Sequence, residues 1–190
     1  MQYYLTVRQN MEYNPNYIKN PENGLLKPTG CFWATNYNFN YKDYKEWIDF
    51  LVSNPYLLFS KQSEDAFSKN CFIFTLKENA KILTINNRQS LEFLIKNFKN
   101  KNGQIDFVSL SKYFDGFYID LSGLINDDIN DELKDKIQSY GVSSLVLFNT
   151  DCIDYYYEAK VNIEPFDYEF LSYEQTSYTI DSDKSKKYLK

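Results

Sequence analysis

Between Gly30 and Leu51 the hydrophobic pattern changes period, and this change limits the possible folds more than any other feature of the chain. In Gly30-Cys-Phe-Trp-Ala-Thr35 the side chains alternate as in a strand, with Cys31, Trp33 and Thr35 on one face and Phe32 and Ala34 on the other. The Pro28-Thr-Gly30 turn leads into it. From Tyr41 the apolar and aromatic residues fall at Tyr41, Tyr44, Ile48 and Leu51, with Trp47 and Phe50 beside them. That is the stripe of a helix, and Asn54-Pro55 stops it. A strand followed by a helix that must cover it calls for a sheet with helices packed on it, so the expected class is α+β.

The rest of the chain repeats this grammar. Gln2 to Val7 suits a first strand, with Arg8 at its end, and Asn10 to Lys27 has no clear period and reads as a long surface connection. Cys71 to Leu76 and Lys81 to Ile85 are short strands. Asn87 is placed to cap a helix whose stripe is Leu91, Leu94, Ile95 and Phe98. Asp106 caps a short helix through Tyr113, and the chain turns at Asp115-Gly116 into a strand reaching Leu121. Ile129, Leu133 and Ile137 mark another helix, expected to stop at Gly141, and Val142 to Phe148 is the most strand-like run of all. Asp154 to Tyr178 is expected to add one or two edge strands. Length points to a single domain over 1–180, with 181–190 a disordered tail.

Composition removes several kinds of chemistry. The chain has no histidine, which excludes Ser-His and Cys-His nucleophiles, the usual zinc sites and imidazole as a base. Its formal charge of −5 argues against non-specific adhesion to nucleic acid or an anionic membrane. No apolar run approaches the roughly 18 residues of a membrane span and Met1-Gln-Tyr-Tyr-Leu lacks a signal-peptide pattern, so a cytoplasmic location without membrane attachment is expected. Cys31, Cys71 and Cys152 are far apart and lie in or beside apolar runs, as buried free thiols do. No phosphate-binding loop, dinucleotide glycine fingerprint or metal-ligand cluster is present, so no metal is expected.

Each residue with chemistry to offer also has a plainer role. Arg8 at a strand end can hold a phosphate or ribose through its planar fork, or be a solvated charge. Thr35 can orient a polar group, or simply end its strand. Trp33, Tyr37 and Tyr41 can stack on a nicotinamide or adenine ring, or Trp33 can pack between strand and helix. Lys27 can meet a phosphate as a point charge. Asp115, Asp120 and Glu158 are the carboxylates placed for acid–base work, although Asp115-Gly116 is also an ordinary turn pair.

Taken in order, six stretches resemble the ADP-ribosyltransferase superfamily, in particular its phage and bacterial members with short, strand-rich catalytic domains. They are Tyr4-Leu-Thr-Val-Arg8, Gly30-Cys-Phe-Trp-Ala-Thr35, Phe72-Ile-Phe-Thr-Leu76, Ala80-Lys-Ile-Leu-Thr-Ile85, Tyr113-Phe-Asp-Gly-Phe-Tyr-Ile119 and Ser144-Leu-Val-Leu-Phe-Asn-Thr-Asp-Cys-Ile153. The resemblance implies a split, mainly antiparallel sheet with flanking helices, and NAD as substrate. It implies that Arg8, or alternatively Tyr4, contacts the NAD ribose or phosphate, and that Thr35 supports the nicotinamide ribose. Trp33 or Tyr37 would stack on a ring. The family's catalytic Glu opens the last core strand, and the matching position here is Ser144. A hydroxyl lacks the negative charge that steadies a developing oxocarbenium ion.

Two functions follow from the resemblance. One is NAD-dependent modification of a macromolecular target, protein or nucleic acid, in conflict between phage and bacterium. The other is a non-catalytic binding module or inhibitor of the same fold that engages a protein or nucleotide, as a phage inhibitor of host defence would. A third and separate possibility is a histidine-free nuclease holding Mg²⁺ through Asp115 and Asp120.

Overall fold

The computed structural model describes residues 2–7, 11, 13–21, 26–37, 47, 49–50, 53, 68–164, 177–181 and 187–189. The strands, in chain order, are β1 (Tyr3–Val7), β2 (Phe32–Tyr37), β3 (Ser68–Leu76), β4 (Ile82–Ile85), β5 (Gly116–Ile119), β6 (Ser144–Leu147), β7 (Ile153–Glu164), β8 (Ser177–Asp181) and β9 (Lys187–Leu189). The helices are α1 (Arg88–Asn97), α2 (Phe107–Leu110), α3 (Leu121–Asn126) and α4 (Asp131–Ile137). The protein is α+β, as the change of period requires. Among the described residues no helix is long and apolar enough to cross a membrane.

The contacts gather the chain into two compact units. The first comprises Met1–Glu12, Ala34–Leu76 and Ile153–Lys190, and the second Tyr13–Trp33 and Lys77–Cys152. In the first unit the strand order is β2-β1-β3-β7-β8, every neighbouring pair antiparallel, with β9 also paired to β7. The expected edge strand after Asp154 is therefore an interior one. Ser68–Leu76 borders β7 on one side, while β9 and then β8 follow one another along its other side. Beyond β8, Lys187–Leu189 pairs with Tyr155–Tyr157. Charge in the tail does not prevent backbone groups from completing a ladder.

Aromatic pairs cross this sheet. Tyr4 stacks on Phe74 at 5.6 Å, and Phe72 meets Tyr156 edge-on at 5.8 Å. Tyr155 donates its hydroxyl to that of Tyr3 at 3.0 Å. Tyrosine thus has a structural use here: Tyr4 and Tyr156 lay their rings against phenylalanines of the sheet, and Tyr3 and Tyr155 join their hydroxyls.

In the second unit β4 and β5 run parallel and β5 and β6 antiparallel. A parallel pair needs a crossover, and α1 and α2 supply it between β4 and β5. The core collects Ile85, Leu91, Leu94, Phe107, Leu110, Phe117, Leu124, Leu133, Ile137, Val146 and Phe148. At its centre Phe107 stacks on Phe117 with ring centroids 5.4 Å apart, and Phe148 lies 5.8 Å from Phe117. The i, i+3 spacing of Leu91 and Leu94 puts both on the buried side of α1.

Asn87 caps α1 as its position requires. Its side chain accepts from Ser90 N at 2.9 Å, and Ser90 Oγ accepts from Asn87 N at 3.2 Å, a reciprocal capping box. Asn87→Ala is expected to lower stability by about 1 kcal/mol, read from urea denaturation of variant and wild type side by side.

Two expectations about helix ends fail for physical reasons. The strand expected to reach Leu121 stops at Ile119, because the Asp120 carboxylate accepts from Gly123 N at 3.2 Å and starts α3. An Asp one residue past an apolar run is a cap as readily as a turn. Gly141 does not close α4, which ends at Ile137 with Gln138 as its cap. Of the helix read over Tyr41 to Leu51, residues 47, 49 and 50 are helical and Trp47 is buried, while Tyr41, Tyr44, Ile48 and Leu51 lie outside the described residues.

Candidate functional site

The second unit contains a pocket of about 660 Å³ lined by Lys19, Asn20, Pro21, Lys27, Pro28, Thr29, Gly30, Cys31, Trp33 and Ser139. Most of its wall comes from the segment read as a surface connection and from the turn into β2. These pieces are pinned by the backbone. Lys19 N donates to Thr29 O at 3.0 Å, and Thr29 N returns a bond to Lys19 O at 3.1 Å. Gly30 then passes the Tyr17 carbonyl with φ of 74°, so closely that a β-carbon would lie 1.8 Å from Tyr17 O. Glycine is the residue this backbone admits.

Side chains anchor the same loop to the helices. Asn20 Nδ2 donates to Asp106 Oδ1 at 3.0 Å, and its Oδ1 accepts from Val108 N at 3.2 Å. Leu26 N donates to Lys136 O at 3.1 Å, while Leu26 O accepts the Tyr140 hydroxyl. Burial pushes the Tyr140 hydroxyl well above its usual range, with the Cys31 thiol adding to the effect, so it remains a neutral donor. A wall held at both ends presents a formed surface rather than one that must be ordered on binding.

Three groups give the pocket its chemistry. Trp33 lies against the core, its ring 5.9 Å from that of Tyr140 and tilted by 42°. Lys27 Nζ stands over the Trp33 ring, 5.5 Å from its centroid. Partial burial lowers the Lys27 pKa from its ordinary value, because the ammonium has lost part of its hydration. Ser139 Oγ is buried and has no hydrogen-bond partner among the described residues. Lys19 brings a second positive charge. An aromatic plane, a desolvated cation and an unmatched hydroxyl fit a ligand with a flat ring and an anionic end.

The alternation read for Cys31 to Thr35 holds as far as Ala34 and stops there: Cys31 and Trp33 line the pocket and Phe32 and Ala34 are fully buried, but Thr35 is buried as well and does not line the pocket. Burial pushes the Cys31 thiol up to about 12, which suits an unreactive group. All three cysteines are free.

Of the residues singled out from the sequence, Trp33 and Ser144 belong to the second unit and Thr35 and Tyr37 to the first. Arg8 and Tyr41 lie outside the described residues. Thr35 faces Leu5, and Tyr37 faces Tyr3, across the β1–β2 pair. Both are buried, with exposures of 2% and 8%, and burial raises the Tyr37 pKa, with Cys71 contributing less. Ser144 opens β6 and does not line the pocket. Only 4% exposed, it donates its hydroxyl to Val142 O at 3.0 Å. Tyr4, the alternative to Arg8, is occupied in its stack with Phe74.

The carboxylates considered for metal-dependent chemistry have structural work. Asp115 Oδ2 accepts from Lys81 N at 2.8 Å, and Asp120 caps α3. They flank the two ends of β5, five residues and so roughly 16 Å apart at about 3.3 Å per extended residue, too far to share one ion. Glu158, opposite Phe72 on β7, belongs to the other unit. Among the described residues no group of three or more His, Cys, Asp or Glu is arranged to hold a metal.

Lys19, Asn20, Thr29 and Ser139 were not foreseen as site residues. The only signal was the length of the unpatterned segment from Asn10 to Lys27, since long connections tend to carry function. No family model, curated protein or solved structure matches the chain, and the pocket is therefore read from its own residues.

Proposed function

We propose that this protein is a nucleotide-binding domain of ADP-ribosyltransferase-like fold that takes NAD or a related phosphorylated, aromatic ligand at Trp33 and engages a macromolecular target without transferring ADP-ribose to it. The observation that carries this reading is the pairing of the Trp33 ring with the Lys27 ammonium in one formed pocket. A base can use the first and a phosphate the second. Support for the fold comes from the six stretches that carry the resemblance, which fall on β1 to β6 in chain order.

Binding is favoured over transfer by the state of Ser144. Its hydroxyl is buried and already bonded to Val142 O, and it supplies no negative charge to an oxocarbenium-like transition state. The transferase reading keeps one support, that Ser144 opens β6 where the resemblance expects the catalytic Glu.

The test is NAD labelled in both halves, incubated with the protein and cell extract. The expected result is saturable retention of intact NAD with no nicotinamide released. Nicotinamide release together with ADP-ribose label on a macromolecule of the extract, both lost in Ser144→Ala, would establish transfer instead, and neither retention nor release would overturn both readings.

A further inference from the structure

The Lys27–Trp33 contact also bears on which end of a ligand the pocket selects. The ammonium stands 5.5 Å from the indole centroid, in partial burial, so water screens it less than a surface lysine. A cation over an aromatic face is held by the ring quadrupole alone, whereas an ammonium meeting a phosphoryl oxygen forms a charge-assisted hydrogen bond, roughly twice as strong as a neutral one. A ligand that brings phosphate can therefore draw Lys27 from the ring, and the ligand's base can then take the ammonium's place against it.

Ser139 is the independent observation. Ser139 lines the pocket, and its Oγ is buried without a hydrogen-bond partner among the described residues, which leaves its desolvation uncompensated. A ligand oxygen within reach would remove that penalty. Lys19 lines the same pocket and adds positive charge to it.

We propose that this pocket is a phosphate-selective site in which Lys27 exchanges the Trp33 face for a ligand phosphoryl group and Ser139 donates its hydroxyl to the same group. The ligand class is a nucleoside phosphate or diphosphate rather than a nucleoside. This rests on the nucleotide reading of the same pocket but separates from it at the anionic end. Lys27 serves as both recogniser and cover: without phosphate, the ring that would stack on a base stays occupied.

The experiment is calorimetric titration, at fixed ionic strength, of adenosine, ADP and inorganic pyrophosphate into wild type, Lys27→Met and Ser139→Ala. Methionine keeps the apolar stem against Trp33, and thermal midpoints show which variants are folded. Wild type is expected to prefer ADP to adenosine by tenfold or more. Lys27→Met should shrink that preference about tenfold, losing ADP affinity while adenosine binds as well or better. Ser139→Ala should weaken ADP and pyrophosphate several-fold and leave adenosine unchanged. Equal losses for adenosine and ADP in Lys27→Met, or nucleotide binding indifferent to both variants, would overturn this proposal and leave the nucleotide reading standing. Pyrophosphate binding that depends on Lys27, with adenosine, ADP and NAD all failing to bind, would leave a bare anion site and overturn both the nucleoside-phosphate ligand class and the nucleotide reading. No binding by any of the probes would overturn both.

Discussion

Replacing Gly30 by alanine is expected to destabilise the protein by about 3 kcal/mol or more, one of the two largest losses anticipated for a single substitution here. Two effects add. At φ of 74° an L side chain is strained, which costs about 1–3 kcal/mol. The added β-carbon would also lie 1.8 Å from Tyr17 O and 2.3 Å from Tyr17 C, and overpacking costs about 1–3 kcal/mol more. Those atoms are backbone, in a turn of 3₁₀ helix at Pro15–Tyr17, so no side-chain rotation relieves the clash. Gly103 provides the control. Its φ is 76°, yet a β-carbon there meets nothing within 4 Å, so Gly103→Ala should show the backbone strain alone, about 1 kcal/mol. Thermal melts of both variants check this, with a drop of about 6–12 °C expected for Gly30→Ala at roughly 2–4 °C per kcal/mol. Equal drops would mean that the chain is not seated on the Tyr17 carbonyl. Gly30 lines the pocket, so its variant should also disturb ligand binding.

The second large effect is expected at Phe117. Its ring is fully buried, stacks on Phe107 at 5.4 Å and touches the Phe148 cluster at 5.8 Å. Phe117→Ala removes most of a ring from a packed centre that can close up only partly, at a cost of about 3–5 kcal/mol. Phe117→Leu keeps more of the volume and should lose about 1–2 kcal/mol. Denaturant midpoints should shift while the slope stays constant, which marks a change of stability rather than of the unfolded state. A loss below about 1 kcal/mol for the alanine variant would contradict the packing of β5 between α2 and the end of β6. The residue on the other side of Phe117's strand neighbours, Tyr118, is only half-buried, as the period of two requires.

Much of the fold was legible because its signals are local. The stripe of Leu91 and Leu94, the Asn87 cap and the run Val142 to Phe148 each depend on residues close in sequence, and each element forms there, the last as the shorter strand Ser144–Leu147. Pairing was less legible. Nothing near Ile153 to Glu164 announces that strands will flank it on both sides, because the partners come from residues 68–76, 177–181 and 187–189. Asp120 was ambiguous for another reason: one carboxylate can end a strand or cap a helix, and the following Leu121-Ser-Gly-Leu does not decide between them.

The candidate site was legible at two residues. Trp33 was singled out for its ring, and Lys27 as a point charge near a phosphate, and both stand in the pocket. The remaining lining residues could not be read in advance. Lys19 reaches the pocket through its backbone pairing with Thr29, and Ser139 arrives from beyond α4, far away in sequence. Ser144 illustrates the opposite case. The resemblance gave it a chemical role, whereas its hydroxyl is spent on Val142 O, a bond that follows from the tight entry into β6.

The measurement that bears most directly on the account is a calorimetric titration of NAD into wild type and Trp33→Leu. Leucine preserves apolar cover over Tyr140 while removing the aromatic plane, and the thermal midpoint verifies that the variant is folded. The account predicts a saturable one-site isotherm for wild type, weakened about tenfold or more in Trp33→Leu, since a base–aromatic stack contributes about 1–3 kcal/mol. Identical isotherms for the two proteins, or no binding by wild type, would contradict it.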